Sequence, residues 1–302
     1  MRRFLLKTAI ALCIALCFHL IAAWHADGSS DAYYLRFTGH RHASLIIGTS
    51  RGAQGIDPTA FAEGKKGDGW APDLFNFAFT RANSPYGPTY LRAIAGKLDP
   101  GQDNGLFLVS VDPWALSERK DENGFPESER FLGRMHTFNS TPNPEYLIRC
   151  YGAGWGALLG GPLVGADTTL FLHEDGWLEV RIPMDSASVA TRSAQKKREY
   201  ARLAEEFNFR PDRLGYLEQT IEFLKPHGTV VLVRIPVSGW MRDLENEYRP
   251  GFSNEMQRLA NAHHALYVDD TEAPGPYLFT DGNHLAATSA KEYSRWLATR
   301  LR

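Results

Sequence analysis

Leu45-Ile46-Ile47-Gly48-Thr49-Ser50-Arg51-Gly52 decides how this chain reads. Three aliphatic residues running into a glycine turn form the pattern of a parallel strand buried on both faces. A serine just past such a strand sits at the carboxyl rim of the sheet, where open α/β folds hold their ligands. Two roles are open to Ser50: N-cap of the next helix, or a hydroxyl presented at the rim.

The flanking sequence repeats this pattern. Phe75–Phe79, Leu106–Val111, Thr229–Ile235 and Ala265–Asp269 read as further strands. Helical stretches are expected over Tyr86–Leu98, Ser193–Phe207, Asp212–Leu224, Ser253–His263 and Ala286–Leu301. Strands alternating with helices imply a five-stranded, mostly parallel sheet with helices on both faces. Ser117–Pro144 is polar and turn-rich, and Tyr151–Gly165 is glycine-rich, read as a lid or a closely packed helix pair. Asp175-Gly176-Trp177 marks a hairpin-like turn. A central insertion at about 117–183 therefore interrupts one domain spanning 31–302.

Residues 1–30 are set apart from that domain. Arg2, Arg3 and Lys7 precede an apolar run through Trp24 that carries no Asp, Glu, Lys or Arg. Both a signal peptide and a membrane anchor have this shape. With Leu5 and Leu6 the run reaches roughly 20 residues, the thickness of a bilayer core, and Trp24 suits an interface. An uncleaved single-pass anchor is the reading favoured, with the basic N-terminus in the cytoplasm and the domain on the outer, extracytoplasmic side.

The 302 residues are 43% hydrophobic and 23% charged, with a net charge of −2, which gives no reason to expect a nucleic-acid partner. Cys13 and Cys17 lie in the apolar run, leaving Cys150 alone in the domain and no intrachain disulfide expected there. Gly48, Gly52 and Gly55 have the wrong first spacing for a dinucleotide fingerprint. His40 and His42 are spaced as metal ligands on one strand, but no third ligand follows in the sequence, and no metal or cofactor is assigned. Trp114, Trp155 and Trp177 are candidates for sugar stacking, with buried core as the alternative.

Near the far end lies Thr280-Asp281-Gly282-Asn283-His284-Leu285, a loop before the last helix. An aspartate three residues before a histidine can hold one imidazole nitrogen while the other faces a nucleophile. Taken with Ser50, the order resembles the SGNH/GDSL hydrolase family. Members carry a nucleophilic serine after the first strand and an Asp-x-x-His pair before the last helix. The resemblance covers roughly 43–114 and 229–301. It implies a three-layer α/β/α sandwich of the SGNH, flavodoxin-like kind, with Ser50, Asp281 and His284 catalytic and no metal. Thr49 replaces the family's usual aspartate. No glycine stands near Thr80-Arg81-Ala82, where the second block supplies an oxyanion amide. Asp112 stands where the third block has asparagine. Asn76 and Asn83, with the backbone N–H of Ser50 or Arg51, are the candidates for oxyanion binding, and the Arg51 side chain is a candidate for binding a substrate carboxylate, with a surface salt bridge as the favoured alternative.

The anchored form resembles the cell-envelope branch of the family. That implies an extracytoplasmic serine esterase or O-acyltransferase acting on acyl, often acetyl, esters of envelope polysaccharide or a related glycan. The alternative is a catalytically inactive domain that binds a polymer or partners a membrane acyltransferase.

Overall fold

The computed structural model describes residues 1–65, 70, 73–160, 169–272 and 275–301. Five strands form the central sheet: β1 (Ser44–Ile47), β2 (Leu74–Asn76), β3 (Gly105–Ser110), β4 (Gly228–Arg234) and β5 (Leu266–Asp269). Their order is β2-β1-β3-β4-β5, and every pairing is parallel. The side-chain period of two splits the strands between two apolar clusters. Leu45, Ile47, Phe107, Val109, Val230 and Leu232 join one, and Ile46, Leu106, Leu108, Val231 and Val233 the other. Covering both faces is why these strands read as unbroken aliphatic runs.

The N-terminal helix α1 (Arg2–Trp24) is long and apolar enough to cross a membrane, a property that signal sequences share. Two short helices, α2 (Ser50–Gly55) and α3 (Pro58–Gly64), follow β1; α4 (Pro88–Lys97) precedes β3. The long helix α5 (Ser186–Glu206) and α6 (Pro211–Leu224) precede β4. Helices α7 (Gly239–Tyr248) and α8 (Phe252–Ala262) lie between β4 and β5, and α9 (Ala287–Arg300) closes the chain.

Two expectations change. The second strand ends at Asn76, although Phe77 and Phe79 still donate backbone bonds of 2.8 and 3.2 Å to Ile46 and Gly48. Helix α5 begins seven residues earlier than expected, because the Asp185 side chain caps it by accepting from the Ser188 N–H at 2.9 Å. The expected hairpin forms with Leu170–Leu172 against Leu178–Val180, turning at Gly176 with φ of 80°. Ser117–Arg119, at the start of the insertion, pairs antiparallel with Phe207–Phe209. The glycine-rich stretch is helical over Gly152–Gly160, and its remainder to Gly165 lies outside the described residues.

Candidate active site

The turn after β1 can be built only with glycine at position 48. Its φ is 138°, and a Cβ there would stand 2.7 Å from the Ser110 Cβ. The Tyr90 hydroxyl accepts from the Gly48 N–H at 2.8 Å, and the Ser84 hydroxyl donates to the Gly48 carbonyl at 2.8 Å. Thr49, not Ser50, is the N-cap of α2, and its hydroxyl donates to Asp112 at 3.3 Å. Ser50 is thus the first helical residue, and its hydroxyl is not spent on capping.

The second loop is closed as tightly. Thr280 N–H donates to the His284 carbonyl at 2.9 Å. Gly282, with φ of 83°, has no room for a Cβ beside the Trp240 indole. Its carbonyl accepts from both the Ser238 N–H at 3.0 Å and the Ser238 hydroxyl at 2.8 Å. From the insertion side, Arg192 on α5 donates to the Thr280 carbonyl at 2.8 Å.

These two loops bring Ser50, His284 and Asp281 together in one line. Ser50 Oγ lies 2.9 Å from His284 Nε2, and His284 Nδ1 lies 3.0 Å from Asp281 Oδ2. Asp281 Oδ1 also accepts from the backbone N–H groups of Asn283 at 2.9 Å and His284 at 3.0 Å. Burial disfavours the charge on Asp281. The adjacent imidazole and these two N–H groups outweigh it and hold the carboxyl well below the usual range. An anionic Asp281 takes the proton on Nδ1, which leaves Nε2 as the acceptor facing the Ser50 hydroxyl.

A second clip joins the same loops. Arg51 follows Ser50 and Asn283 precedes His284. Arg51 Nε and Nη2 donate to Asn283 Oδ1 at 2.9 and 2.7 Å. Asn283 Nδ2 sits 3.0 Å from His284 Nε2. Asn283 is 1% exposed, and only its adjacency to His284 marked it in the sequence.

Arg51 and Asn76, expected at the oxyanion or substrate, have other work here. Arg51 is 3% exposed and pairs with fully buried Glu245 at 2.5 Å. Glu245 also pairs with Arg234 at 3.0 Å and accepts from the Trp114 indole at 2.9 Å. Burial alone disfavours the Arg51 charge, but Glu245 and Asp112 more than restore it. The Asn76 amide donates to the carbonyls of Gly52 at 2.9 Å and Ile56 at 2.8 Å, and its oxygen accepts from Ala78. It pins β2 to α2 and is fully buried. Asn83 lies half-buried in the turn after β2, and among the described residues its side-chain amide has no hydrogen-bond partner.

Asp112 is buried and accepts from the Ala115 N–H at 2.9 Å as well as from Thr49. Burial pushes its carboxyl above the usual range, against the pull of Arg51. Trp114 and Trp177 are core residues at 1% exposure each, and the half-buried Trp155 donates its indole N–H to the Leu147 carbonyl. The opening beside the Asp281 loop is instead an apolar groove of about 530 Å³, lined by Met184, Val189, Trp240, Leu278, Phe279 and Gly282 among others.

Compared with models of known protein families, with curated proteins and with solved structures, the chain matches none.

Proposed function

We propose that the chain is a serine esterase or O-acyltransferase of the SGNH/GDSL kind, folded as a three-layer α/β/α sandwich. In this reading α1 anchors it in the cytoplasmic membrane with the domain on the extracytoplasmic side. It acts there on acyl esters, acetyl above all, of envelope polysaccharide or a related glycan. One observation carries the reading: a hydroxyl, an imidazole and a carboxylate in line at 2.9 and 3.0 Å, at the carboxyl rim of a parallel sheet.

The steps follow from the protonation states. Ser50 Oγ attacks the acyl carbonyl as His284 Nε2 takes its proton. Asp281 keeps the other nitrogen protonated and stabilises the imidazolium. His284 then returns the proton to the departing sugar hydroxyl, leaving an acyl group on Ser50. Water or a second hydroxyl, deprotonated by the same imidazole, removes it. Arg51 and Asn76 are engaged elsewhere. The oxyanion donors left near the rim are the backbone N–H groups at the start of α2 and the Asn83 amide. The groove beside the Asp281 loop gives the substrate a place to lie.

A second reading has one observation in its favour. Asp112 accepts two hydrogen bonds where the family has a donating asparagine, which fits an inactive domain that binds polymer or serves a membrane acyltransferase. Full-length protein in detergent, assayed with p-nitrophenyl acetate and a fluorophosphonate probe, separates the two. Turnover and labelling that fall at least about 10³-fold in both Ser50→Ala and His284→Ala support the enzyme. Equal turnover in all three proteins removes Ser50 from the chemistry.

A further inference from the structure

The opposite edge of the sheet carries a second group of chemically active side chains. His42 lies two residues before β1, and Asp73 immediately precedes β2. Because β1 and β2 pair in parallel with Ser44 beside Leu74, their starting ends are neighbours. The sequence holds no third ligand near His40 and His42; the sheet supplies one from 31 residues away.

The two imidazoles meet the two oxygens of one carboxylate. His42 Nδ1 is 2.8 Å from Asp73 Oδ1, and His40 Nε2 is 3.3 Å from Asp73 Oδ2. All three ligand atoms lie within 4.8 Å of one another. A tetrahedral zinc ion with bonds of about 2.0–2.1 Å needs its ligand atoms roughly 3.3 Å apart, so one of these distances fits as it stands and the other needs opening by about half an ångström. The scaffold is firm. His42 is held through its backbone, accepting from Asp99 at 2.9 Å and donating to Lys97 at 3.0 Å. Its ring stacks on Phe75 at 4.1 Å and 12°, and the His40 ring lies 4.3 Å away on it.

We infer that His40, His42 and Asp73 form a binding site for a divalent zinc-type ion, separate from the Ser50 site. Two imidazoles and one carboxylate suit zinc, copper or nickel, whereas calcium and magnesium prefer oxygen ligands throughout. Binding replaces the two imidazole–carboxylate hydrogen bonds with metal–nitrogen bonds. Each imidazole then carries its proton on the far nitrogen. The His40 side chain is 71% exposed and that of Asp73 40%, so the fourth coordination position faces solvent.

The placement says what the ion does. Strand β1, four residues and about 13 Å long at a strand's rise per residue, and the turns at its two ends stand between His42 and Ser50. The ion therefore takes no part at Ser50. It cross-links the segment before β1 to the start of β2, a clip across a 31-residue loop.

Zinc binding by the untagged full-length protein, in competition with a chromophoric chelator, tests this. The wild type is expected to take one equivalent, and Co²⁺ in its place to show a tetrahedral absorption spectrum. A hundredfold excess of zinc over its Kd should raise Tm by roughly 5 °C or more, reversed by EDTA. Asp73→Asn should abolish tight binding. His40→Ala changes an exposed side chain, leaves folding intact, and should weaken binding at least about tenfold. No binding by the wild type, or binding unchanged in His40→Ala, overturns the inference.

Discussion

The two edges of the sheet both set imidazole against aspartate, and they differ in what faces the remaining ligand positions. At the carboxyl rim, Asp281 and His284 are nearly closed off, with side chains 13% and 11% exposed, and a serine hydroxyl meets the free imidazole nitrogen. At the other edge Asp73 divides its two oxygens between two imidazoles, one of them on the surface. A single imidazole with a hydroxyl on its far nitrogen is placed to move a proton, and two imidazoles aimed at one carboxylate are placed to hold a cation. The chemistry follows from the third partner, not from the His–Asp pair.

The same substitution at each aspartate is the strongest way to break this comparison. Asp281→Asn removes the anion that fixes the His284 tautomer, and esterase turnover should fall between about 10² and 10⁴-fold. Asp73→Asn should leave turnover within about twofold of wild type. Steady-state kinetics on both variants decides it. A large loss in Asp73→Asn would couple the two edges, and none in Asp281→Asn would remove the triad.

A smaller effect is expected behind the rim. Arg51→Met leaves fully buried Glu245 with only Arg234 as a cationic partner and frees the Asn283 oxygen. Removing one member of a buried ion pair costs about 3–5 kcal/mol. Denaturant melts should show that loss. Among the described residues the His40–His42–Asp73 edge has no buried pair of this kind, and His40→Ala should cost well under 1 kcal/mol without metal. If Arg51→Met melts like the wild type, the Arg51–Asn283 clip is not what holds the two loops.

The strands were legible because each is buried on both faces and so reads as an aliphatic run. Ser50 was legible from its place at a strand's end, although Thr49 stands where the family has aspartate, and Asp281 and His284 from their spacing in a short loop. Arg51 was not. From the sequence it is a charged neighbour of Ser50, and only α7 brings Glu245 to it. Helix α7 itself escaped notice: Ser238, at its N-cap, makes no side-chain cap and spends its hydroxyl on the Gly282 carbonyl. Asn76 reads as an amide at a strand's end, yet its bonds all go to the neighbouring backbone. Asp73 was invisible as a partner of His42 because parallel pairing, which no local pattern encodes, makes them neighbours. The sequence pointed to a strand over Phe75–Phe79 and a helix over Ser193–Phe207; the local Asp185 cap starts the helix earlier, and the strand ends at Asn76.

A third carboxylate sharpens the comparison by reversing it. For Asp281 and Asp73, partners outweigh burial and keep the charge. For Asp270, just past β5, burial wins and lifts the pKa to about 6, although Tyr293 donates to it at 2.8 Å and Arg300 pairs with it. In the unfolded chain the carboxyl titrates near 3.8. Between about pH 4 and pH 6 the folded state therefore binds the extra proton, and stability falls as pH rises through that window. The loss across the window is up to about 3 kcal/mol. Asp270→Asn has nothing to titrate, so the stability of the wild type relative to this variant should decline from pH 4 to pH 6.5 and then level off. Urea melts at half-unit steps measure it. A flat difference would mean that Arg300 and Tyr293 hold the charge after all, and that Asp270 belongs with Asp281 and Asp73.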